Sequence, residues 1–346
     1  MPRRPVTSSE VERITRAGRE ETRDLIAVEE PLQILLEHGE GPNRLETPLA
    51  MTMRTPGHDR DLVIGFLFAE GVITTATDVL RLRHCARSET PGNVIRAALR
   101  DGLTVPKHLL ERALPMTSAC GVCGERTLEA LTNAGCETLH GRDDRLHPDA
   151  VRAALDELEF AQAWFRHTGG THAAALFDDL GELRIHREDV GRHNALDKLV
   201  GARLGDGIAP MDGEFIVVSS RASFELVQKC VRARIPLMVA IGAPTSLAID
   251  TARHFGVTLI GFAKRDRFNV YACSDRILEE QGASSFIEVG AAECATESRP
   301  ERSRPRPPIS FGSTLRERRP PVSHRCYRPS CTCIGTGTRS HRRCAS

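Results

Sequence analysis

Apolar residues along this chain follow three successive patterns. Between residues 24 and 115, short apolar runs typical of strands surround one amphipathic stretch, residues 61–70, that predicts a helix. From residue 136 to 295, buried apolar runs alternate with amphipathic helices. Beyond residue 296 the chain is rich in Arg, Pro and Ser, so we predict a disordered tail over residues 296–346.

The first pattern predicts a smaller N-terminal α+β domain over residues 24–115, with its helix packed on a small sheet. His58 and Glu70, near the ends of that helix, are interpreted as surface or capping residues. Residues 1–23 are polar and charged and predict a mobile arm. The strands are predicted at residues 25–28, 32–36, 49–53, 79–84 and 94–99.

The second pattern predicts an α/β domain over residues 136–295. It starts with a helix over residues 148–165, a hairpin and a second helix from Arg192. Strands and helices then alternate with short links, which implies right-handed βαβ units and a parallel sheet. The alternating elements are predicted at residues 214–220 (strand), 224–233 (helix), 236–242 (strand), 247–254 (helix) and 257–263 (strand).

Three polar segments follow the predicted parallel strands, at the sheet edge where such folds bind ligands. Ser219–Ser223 and Ala243–Ser246 are hydroxyl-rich and lead into helices, which suits an anion, and Lys264–Arg267 is basic. One hydroxyl-rich turn is commonly only an N-cap, so the anion-site hypothesis depends on all three segments. Neither a GxGxxG motif after a strand nor a P-loop motif occurs, so the sequence supports neither a Rossmann dinucleotide site nor a P-loop.

Two cysteines, Cys120 and Cys123, lie in a Gly-rich loop within residues 116–135, and the residues after Gly124 read as a helix. A helix N-terminus favours the thiolate, which is the nucleophilic and metal-binding form. The pair alone leaves several hypotheses open. It could be two unreactive thiols, half of a structural zinc site, a thioredoxin-like redox motif, or a site of sulfur or thiol chemistry. The globular part has no second close cysteine pair, which argues against a four-ligand zinc site. Ala119 occupies the position where a thioredoxin-like motif has an aromatic residue, which argues against that motif.

Composition narrows the class of protein. No apolar run is long enough for a membrane span, and no apolar region follows the basic start, so we expect a cytoplasmic protein without a secretory signal. Eleven irregularly spaced cysteines fit a reducing compartment. The net charge is +1, but the segment from Glu297 onward holds 12 Arg against 3 acidic residues, which leaves −8 for residues 1–296. This acidic globular part argues against nucleic acid as a partner.

Several blocks in order resemble the FdhD family, the sulfur-carrier proteins needed for formate dehydrogenase activity. The resemblance covers roughly residues 20–280, with Thr171 departing from an expected aliphatic residue. The blocks are CGVCG at residues 120–124, TGGTHAAAL at 168–176, REDVGRHNALDKLVG at 187–201, SRASFELVQK at 220–229, APTSLA at 243–248 and GFAKRDRFNVY at 261–271.

The resemblance implies a specific activity. A cysteine desulfurase would supply persulfide sulfur, Cys120 would carry it, and Cys123 would assist the relay. The sulfur would pass to the molybdenum of a bis(molybdopterin guanine dinucleotide) cofactor, a bound substrate, before that cofactor enters formate dehydrogenase. The implied fold is α/β with a cytidine deaminase-like C-terminal domain of mixed sheet and flanking helices, and the implied assembly is a homodimer. The implied cofactor-binding residues are Phe262, Ala263, Lys264, Arg265, Asp266 and Arg267.

The residue chemistry suggests further donors for the cofactor and two alternative functions. Arg192, His193 and Asn194 could supply further donors to the anionic cofactor. One alternative function is a chaperone that binds the cofactor without moving sulfur. Another is a zinc-dependent nucleobase deaminase, suggested by the H-x-E of His186 and Glu188 and by the CxxC pair, although their order is reversed relative to that motif. We predict no permanently bound metal, and a metal site in the Cys-containing tail is disfavoured.

Overall fold

The computed structural model describes residues 4–85, 92–110, 131–132, 135–207 and 213–279, without the side chain of His108. These residues belong to one compact unit. The predicted domain boundary near residues 115–136, the predicted CxxC loop and the predicted tail lie wholly or mostly outside the described residues. The two-domain division therefore stays a prediction.

The N-terminal part forms a hairpin and a four-stranded sheet of strand order β4-β3-β6-β5. Strands β3 and β6 are parallel, and the other neighbouring pairs are antiparallel. The elements are β1 (Val6–Thr15), β2 (Gly18–Ala27), β3 (Glu30–His38), β4 (Leu45–Arg54), α1 (Asp59–Ala69), β5 (Val79–His84), β6 (Val94–Leu99) and the short α2 (Lys107–Leu110), with 3-10 turns at Gly41–Asn43 and Ala76–Asp78.

The larger sheet has six strands in the order β12-β11-β10-β9-β7-β8. The predicted βαβ units are confirmed, because β9, β10 and β11 are parallel neighbours. Strands β7, β8 and β12 pair antiparallel, which makes the sheet mixed. The elements are α3 (Pro148–Ala161), α4 (Ala163–Thr168), β7 (His172–Asp178), β8 (Leu183–Asp189), α5 (Arg192–Gly205), β9 (Glu214–Val218), α6 (Phe224–Arg232), β10 (Leu237–Ala240), α7 (Ser246–Phe255), β11 (Thr258–Gly261), β12 (Asn269–Ala272) and a 3-10 turn at Ser274–Arg276.

Two apolar cores cover the faces of the larger sheet. On one face, α5, α6 and α7 pack on the sheet, and α1 connects this core to the buried side of β3 and β6. On the other face, α3 packs through Val151, Leu155 and Leu158 on alternate residues of β7 and β9. The alternation of residues between the two cores follows from the period-2 geometry of a strand. Among the described residues, no helix has the length and apolar character needed to cross a membrane.

The structure differs most from the sequence predictions in three regions. The predicted helix over residues 148–165 is two helices, because the chain leaves helical geometry at Gln162. Strand β12, which pairs with β11, was not predicted; it is only four residues long. Strands β1 and most of β2 lie where a mobile arm is predicted. Their side chains are largely polar on both faces and form exposed cross-strand ion pairs such as Arg13–Glu20, so no apolar alternation marks them.

Candidate functional site

The three polar segments predicted to bind an anion lie at one edge of the larger sheet. Strands β8, β9, β10 and β11 run in the same direction and end at this edge. Strands β7 and β12 run in the opposite direction and begin there. Helices α5, α6 and α7 consequently start at this edge, with Gly191, Ser223 and Thr245 as their N-caps. Their exposed backbone N–H groups give the edge a positive potential that suits anions. We call this edge, with its three helix N-termini, the strand-tip edge.

Backbone hydrogen bonds hold the loops of the strand-tip edge together. Ala222 N donates to Ala243 O at 3.2 Å, and Thr245 N donates to Ala222 O at 3.0 Å. Phe262 N donates to Gly242 O at 3.0 Å, which connects the third loop. The three polar segments predicted to converge are therefore neighbours in the fold.

The predicted cofactor-binding segment Phe262–Arg267 is the loop after β11. Phe262 has a positive φ of 51°, and its side chain is exposed although it is a large aromatic. Ala263 is buried, and Lys264 N donates to Arg267 O at 2.8 Å, which closes the turn. Asp266 is exposed beside them. The loop thus presents an aromatic ring and cations to solvent at the edge.

The cations of this loop are not equivalent. Arg265 is bound by two carboxylates of α3, since its guanidinium donates to Asp156 and, at 2.8 Å, to Glu159. Lys264 and Arg267 are exposed, and among the described residues neither side chain has an ion-pair partner. Arg267 and Lys264 are therefore better placed than Arg265 to bind an added anion.

Of the three donors predicted in the first turn of α5, two have half-buried side chains and the third is buried. Arg192 is half-buried, and its Nε has no hydrogen-bond partner among the described residues. His193 Nε2 lies 3.9 Å from a carboxylate oxygen of Glu225 on α6. Asn194 is instead buried, with its amide donating to Met53 O at 2.7 Å and to Asp189 Oδ1 at 3.1 Å. Asn194 thus acts in the fold, and the hypothesis that it contacts an added cofactor is not supported.

A buried ion pair lies directly beneath this turn. Lys198 Nζ is 2.7 Å from Asp189 Oδ2, and both side chains are fully buried. The remaining acceptor positions of Asp189 are filled by Gly191 N at 2.9 Å, Asn194 Nδ2 and Thr55 N at 3.1 Å. Burial raises the pKa of Asp189 and lowers that of Lys198, while their attraction acts in the opposite direction. This network fixes the β8–α5 turn and is a feature that the sequence analysis did not identify.

His172 is a second residue that the sequence analysis did not identify. It begins β7, is half-buried and lies opposite Asp189 in the strand register. The next residue, Ala173, donates its N–H to Ser219 Oγ, at the end of β9, at 2.9 Å. Burial and the charge of Arg192 hold the pKa of His172 below its usual value. The available signal in the sequence was a histidine after the Gly169–Gly170 turn, directly before a buried strand.

Glu188, the acid of the H-x-E motif, has a structural role. Its carboxylate accepts hydrogen bonds from Trp164 N at 3.0 Å, Phe165 N at 2.8 Å and Thr171 Oγ1 at 2.7 Å. Burial raises its pKa, but these hydrogen bonds, and that from His186, lower it more, so the pKa is below its ordinary value. A carboxylate so occupied caps α4 and is poorly suited to general acid–base work. This geometry disfavours the deaminase alternative.

Cys120 and Cys123 lie outside the described residues. The described cysteines are Cys85, Cys136, Cys230 and Cys273, all of them free thiols. Burial raises the pKa of Cys136, Cys230 and Cys273, which makes each a poorer nucleophile than an ordinary thiol. Within the described ranges, no group of three or more His, Cys, Asp or Glu residues is arranged to hold a metal ion.

Comparison with known proteins identifies the family. The model of the FdhD/NarQ family matches residues 27–278. The chain is 44% identical over 259 residues to the sulfur carrier protein FdhD of Streptomyces avermitilis, covering 73% of this chain and 89% of that protein. It is 41% identical over 261 residues to the protein of the same name from Mycobacterium tuberculosis, with 73% and 92% covered.

A solved structure shows the same fold. The crystal structure of a candidate formate dehydrogenase accessory protein from Desulfotalea psychrophila superposes with a TM-score of 0.62. The match covers 79% of this chain and all of that chain, at 24% sequence identity. At this identity the likeness supports the mixed α/β fold with its flanking helices, and the resemblance to cytidine deaminase stays a prediction.

Proposed function

Because the chain belongs to the FdhD/NarQ family, we propose that it is a sulfur carrier that serves formate dehydrogenase. In this proposal Cys120 accepts persulfide sulfur from a cysteine desulfurase. The sulfur then goes to the molybdenum of a bis(molybdopterin guanine dinucleotide) cofactor, bound as a substrate before its insertion into formate dehydrogenase. The observation that carries the proposal is the identity of more than 40% with curated sulfur carrier proteins over most of the chain.

The transfer chemistry needs only thiols and a reductant. The Cys120 thiolate attacks the terminal sulfur of the donor persulfide, and the donor leaves as a thiolate. Cys123 then attacks Cys120 Sγ, which forms a disulfide and releases the carried sulfur as sulfide for the metal. A cellular dithiol supplies the two electrons that reduce the disulfide and reset the pair.

The strand-tip edge supports the binding half of the proposal. The cofactor carries two guanine dinucleotide tails and several phosphates, so its binding site needs cations and N–H donors. The edge offers three helix N-termini, the exposed ring of Phe262, and the cations of Lys264 and Arg267, which have no ion-pair partner within the described part of the chain. A nucleobase could stack on that ring, since aromatic stacking is tolerant of base identity.

Sulfur transfer is tested by mass spectrometry of the intact protein after incubation with a cysteine desulfurase and cysteine, without reductant. We expect a mass increase of one sulfur atom that disappears in Cys120→Ala and persists in the control Cys85→Ala. Activity in cells separates the carrier from a chaperone that moves no sulfur. With a carrier, Cys120→Ala should abolish formate dehydrogenase activity; with a chaperone, Cys120→Ala should still support it. A wild-type protein that gains no sulfur would count decisively against the carrier function.

The binding half has its own test with GDP, which stands in for part of the cofactor's nucleotide tail. Arg267→Ala should weaken GDP binding by roughly tenfold, since a charge-assisted hydrogen bond is lost. Arg265→Ala should have a smaller effect because its guanidinium is already engaged by α3. Equal affinities for the wild type and Arg267→Ala would remove that residue from the site. The homodimer and the cytoplasmic location remain predictions.

A further inference from the structure

The first turn of α5 is tied to the N-terminal sheet by the side chain of Asn194. Its Oδ1 accepts a hydrogen bond from Thr52 Oγ1 at 3.1 Å, and its Nδ2 donates to Met53 O at 2.7 Å. Both partners belong to β4, and the same Nδ2 also donates to Asp189 Oδ1 of β8 at 3.1 Å. Asn194 is buried, and both hydrogens of its amide group are engaged within the protein. One side chain therefore joins β4, β8 and α5 at the strand-tip edge.

A second connection runs through Thr55, the residue that follows β4. Its N–H donates to Asp189 Oδ2 at 3.1 Å, and its carbonyl oxygen accepts from Lys198 Nζ at 2.9 Å. Its hydroxyl accepts from Val190 N at 3.1 Å, in the turn between β8 and α5. Thr55, Asp189 and Lys198 are all fully buried. The turn that leads into α5 is thus fixed from the N-terminal sheet at two successive points.

The N-cap of α5 is a glycine, Gly191, which provides no side-chain cap. In contrast, α7 is capped locally, because the hydroxyl of its N-cap Thr245 accepts from Ala248 N. A Cβ added at Gly191 would lie 3.1 Å from Asn194 Nδ2, so the turn packs closely against the connecting side chain. The orientation of the free N–H groups at the start of α5 consequently depends on contacts from a different sheet.

We propose that Asn194, Asp189 and Lys198 are positioning residues for the anion site at the strand-tip edge, and that the N-terminal sheet supports ligand affinity through them. The inference rests on the proposed function, in which the α5 N-terminus contributes to binding the cofactor's nucleotide tail. None of the three side chains is placed to contact the ligand, since each is buried and bonded within the protein. A buried and fully bonded polar network suits this role, because it specifies one arrangement of the elements that it joins.

Such an arrangement couples the two sheets in both directions. If the anchored turn binds the ligand more tightly than a released turn does, the ligand must stabilise the anchored turn by the same factor. The backbone N–H groups of Thr55, Val190 and Gly191 report on the anchor, because each donates to a partner within it. Ligand binding at the edge should therefore slow the hydrogen exchange of Thr55, which lies on the N-terminal side of the connection.

The test combines titration calorimetry with GDP and hydrogen exchange of the full chain. Asn194→Asp keeps the acceptor for Thr52 but places a carboxylate oxygen against Met53 O. This variant should weaken GDP binding by about tenfold, because the first turn of α5 is released. Thr52→Val removes one hydroxyl donor, keeps the shape of the side chain and should cause a smaller decrease. The matched control Thr258→Val removes a buried hydroxyl at the start of β11, at the opposite end of the sheet, and should bind GDP like the wild type.

Each outcome decides the inference. Thermal unfolding verifies that the variants are folded, and Thr52→Val carries the test if Asn194→Asp does not fold. Folded variants that bind GDP with wild-type affinity overturn the positioning role, and GDP binding that leaves the exchange of Thr55 unchanged overturns the coupling. A wild type that does not bind GDP overturns the binding half of the proposed function and this inference together, whereas equal GDP binding by all variants overturns this inference alone. Persulfide formation on Cys120 is measured separately and tests the carrier function.

Discussion

At the scale of single residues, Asp78 shows how hydrogen bonds set the charge state of a buried carboxylate. It is nearly inaccessible to solvent, which by itself raises its pKa. Thr74 N and Thr75 N donate to its Oδ2 at 2.9 Å and 3.0 Å, and Arg100 donates to Oδ1. These donors outweigh the burial and lower its pKa to about 2.

Asp78→Asn should therefore destabilise the protein at neutral pH. A carboxylate whose folded pKa is lower than its unfolded pKa stabilises the fold above the unfolded value, and this stabilisation is lost as pH falls from about 4 to about 2. The shift corresponds to up to about 2 kcal/mol. Urea unfolding at pH 7 and pH 3 measures it, with exposed Asp179→Asn as the control. An equal loss of stability at both pH values would contradict the ionic contribution.

The sequence predicted the position of exposed loop segments better than it predicted buried polar partners. The exposed segment Phe262–Arg267 could be named because its residues follow each other in the chain. The roles of Glu188 and Thr171 could not, since their partners come from separate elements. Thr171, which departs from the aliphatic residue expected from the family resemblance, is buried and donates its hydroxyl hydrogen to Glu188. Such pairings are fixed by tertiary contacts, which residue spacing alone does not show.

At the scale of elements, the helices α1 and α5 cross with their main chains in direct contact. A Cβ added at Gly65 would lie 1.9 Å from Asp197 O, and one added at Gly201 would lie 1.9 Å from Asp61 O. Neither glycine has a positive φ, so both are required by close approach and not by backbone conformation. The main chains of the two helices touch where both side chains are absent.

Gly65→Ala and Gly201→Ala should each destabilise the fold by roughly 1–3 kcal/mol or more, because the added methyl group overlaps backbone atoms that cannot rotate away. Gly205→Ala is a matched control at the end of α5, where nothing lies within 4 Å of the added Cβ. There alanine should be neutral or slightly stabilising, owing to its helix propensity. Urea midpoints of the three variants test this. If Gly65→Ala and Gly205→Ala unfold alike, the close crossing is wrong.

Most elements of the larger sheet could be predicted because their apolar periodicity is strong. Strands β9, β10 and β11 lie within their predicted ranges, and α6 and α7 differ from theirs by at most one residue at each end. The break at Gln162 could not be predicted, since α3 and α4 together preserve a helical pattern. It coincides with the cap that Glu188 provides from another strand. The crossing of α1 and α5 could not be predicted either, because a glycine within a helix does not indicate which other helix packs against it.

At the scale of the whole molecule, a polar network joins the N-terminal strands to the larger sheet. Thr55, between β4 and α1, donates its N–H to Asp189 at 3.1 Å and accepts from Lys198 Nζ at 2.9 Å. Its hydroxyl accepts from Val190 N at 3.1 Å. Lys198 Nζ also lies 5.9 Å from the ring centre of Trp164 on α4. The buried ammonium group of Lys198 therefore contacts β8 of the larger sheet, the turn that follows β4 and the ring of Trp164 on α4.

Lys198→Met and Asp189→Asn should each cost about 3–5 kcal/mol, because each leaves the other group buried without its partner. The double variant should lose less than the sum, by about 1–3 kcal/mol, since the unpaired charge is then absent. A double-mutant cycle by chemical unfolding, followed through the fluorescence of Trp164, measures this coupling. The exposed pair Arg13–Glu20 is the control and should couple by less than about 1 kcal/mol. Additive losses for Lys198 and Asp189 would mean that the pair does not join the two sheets energetically, and that the α5 turn bearing Arg192 is held by its other hydrogen bonds.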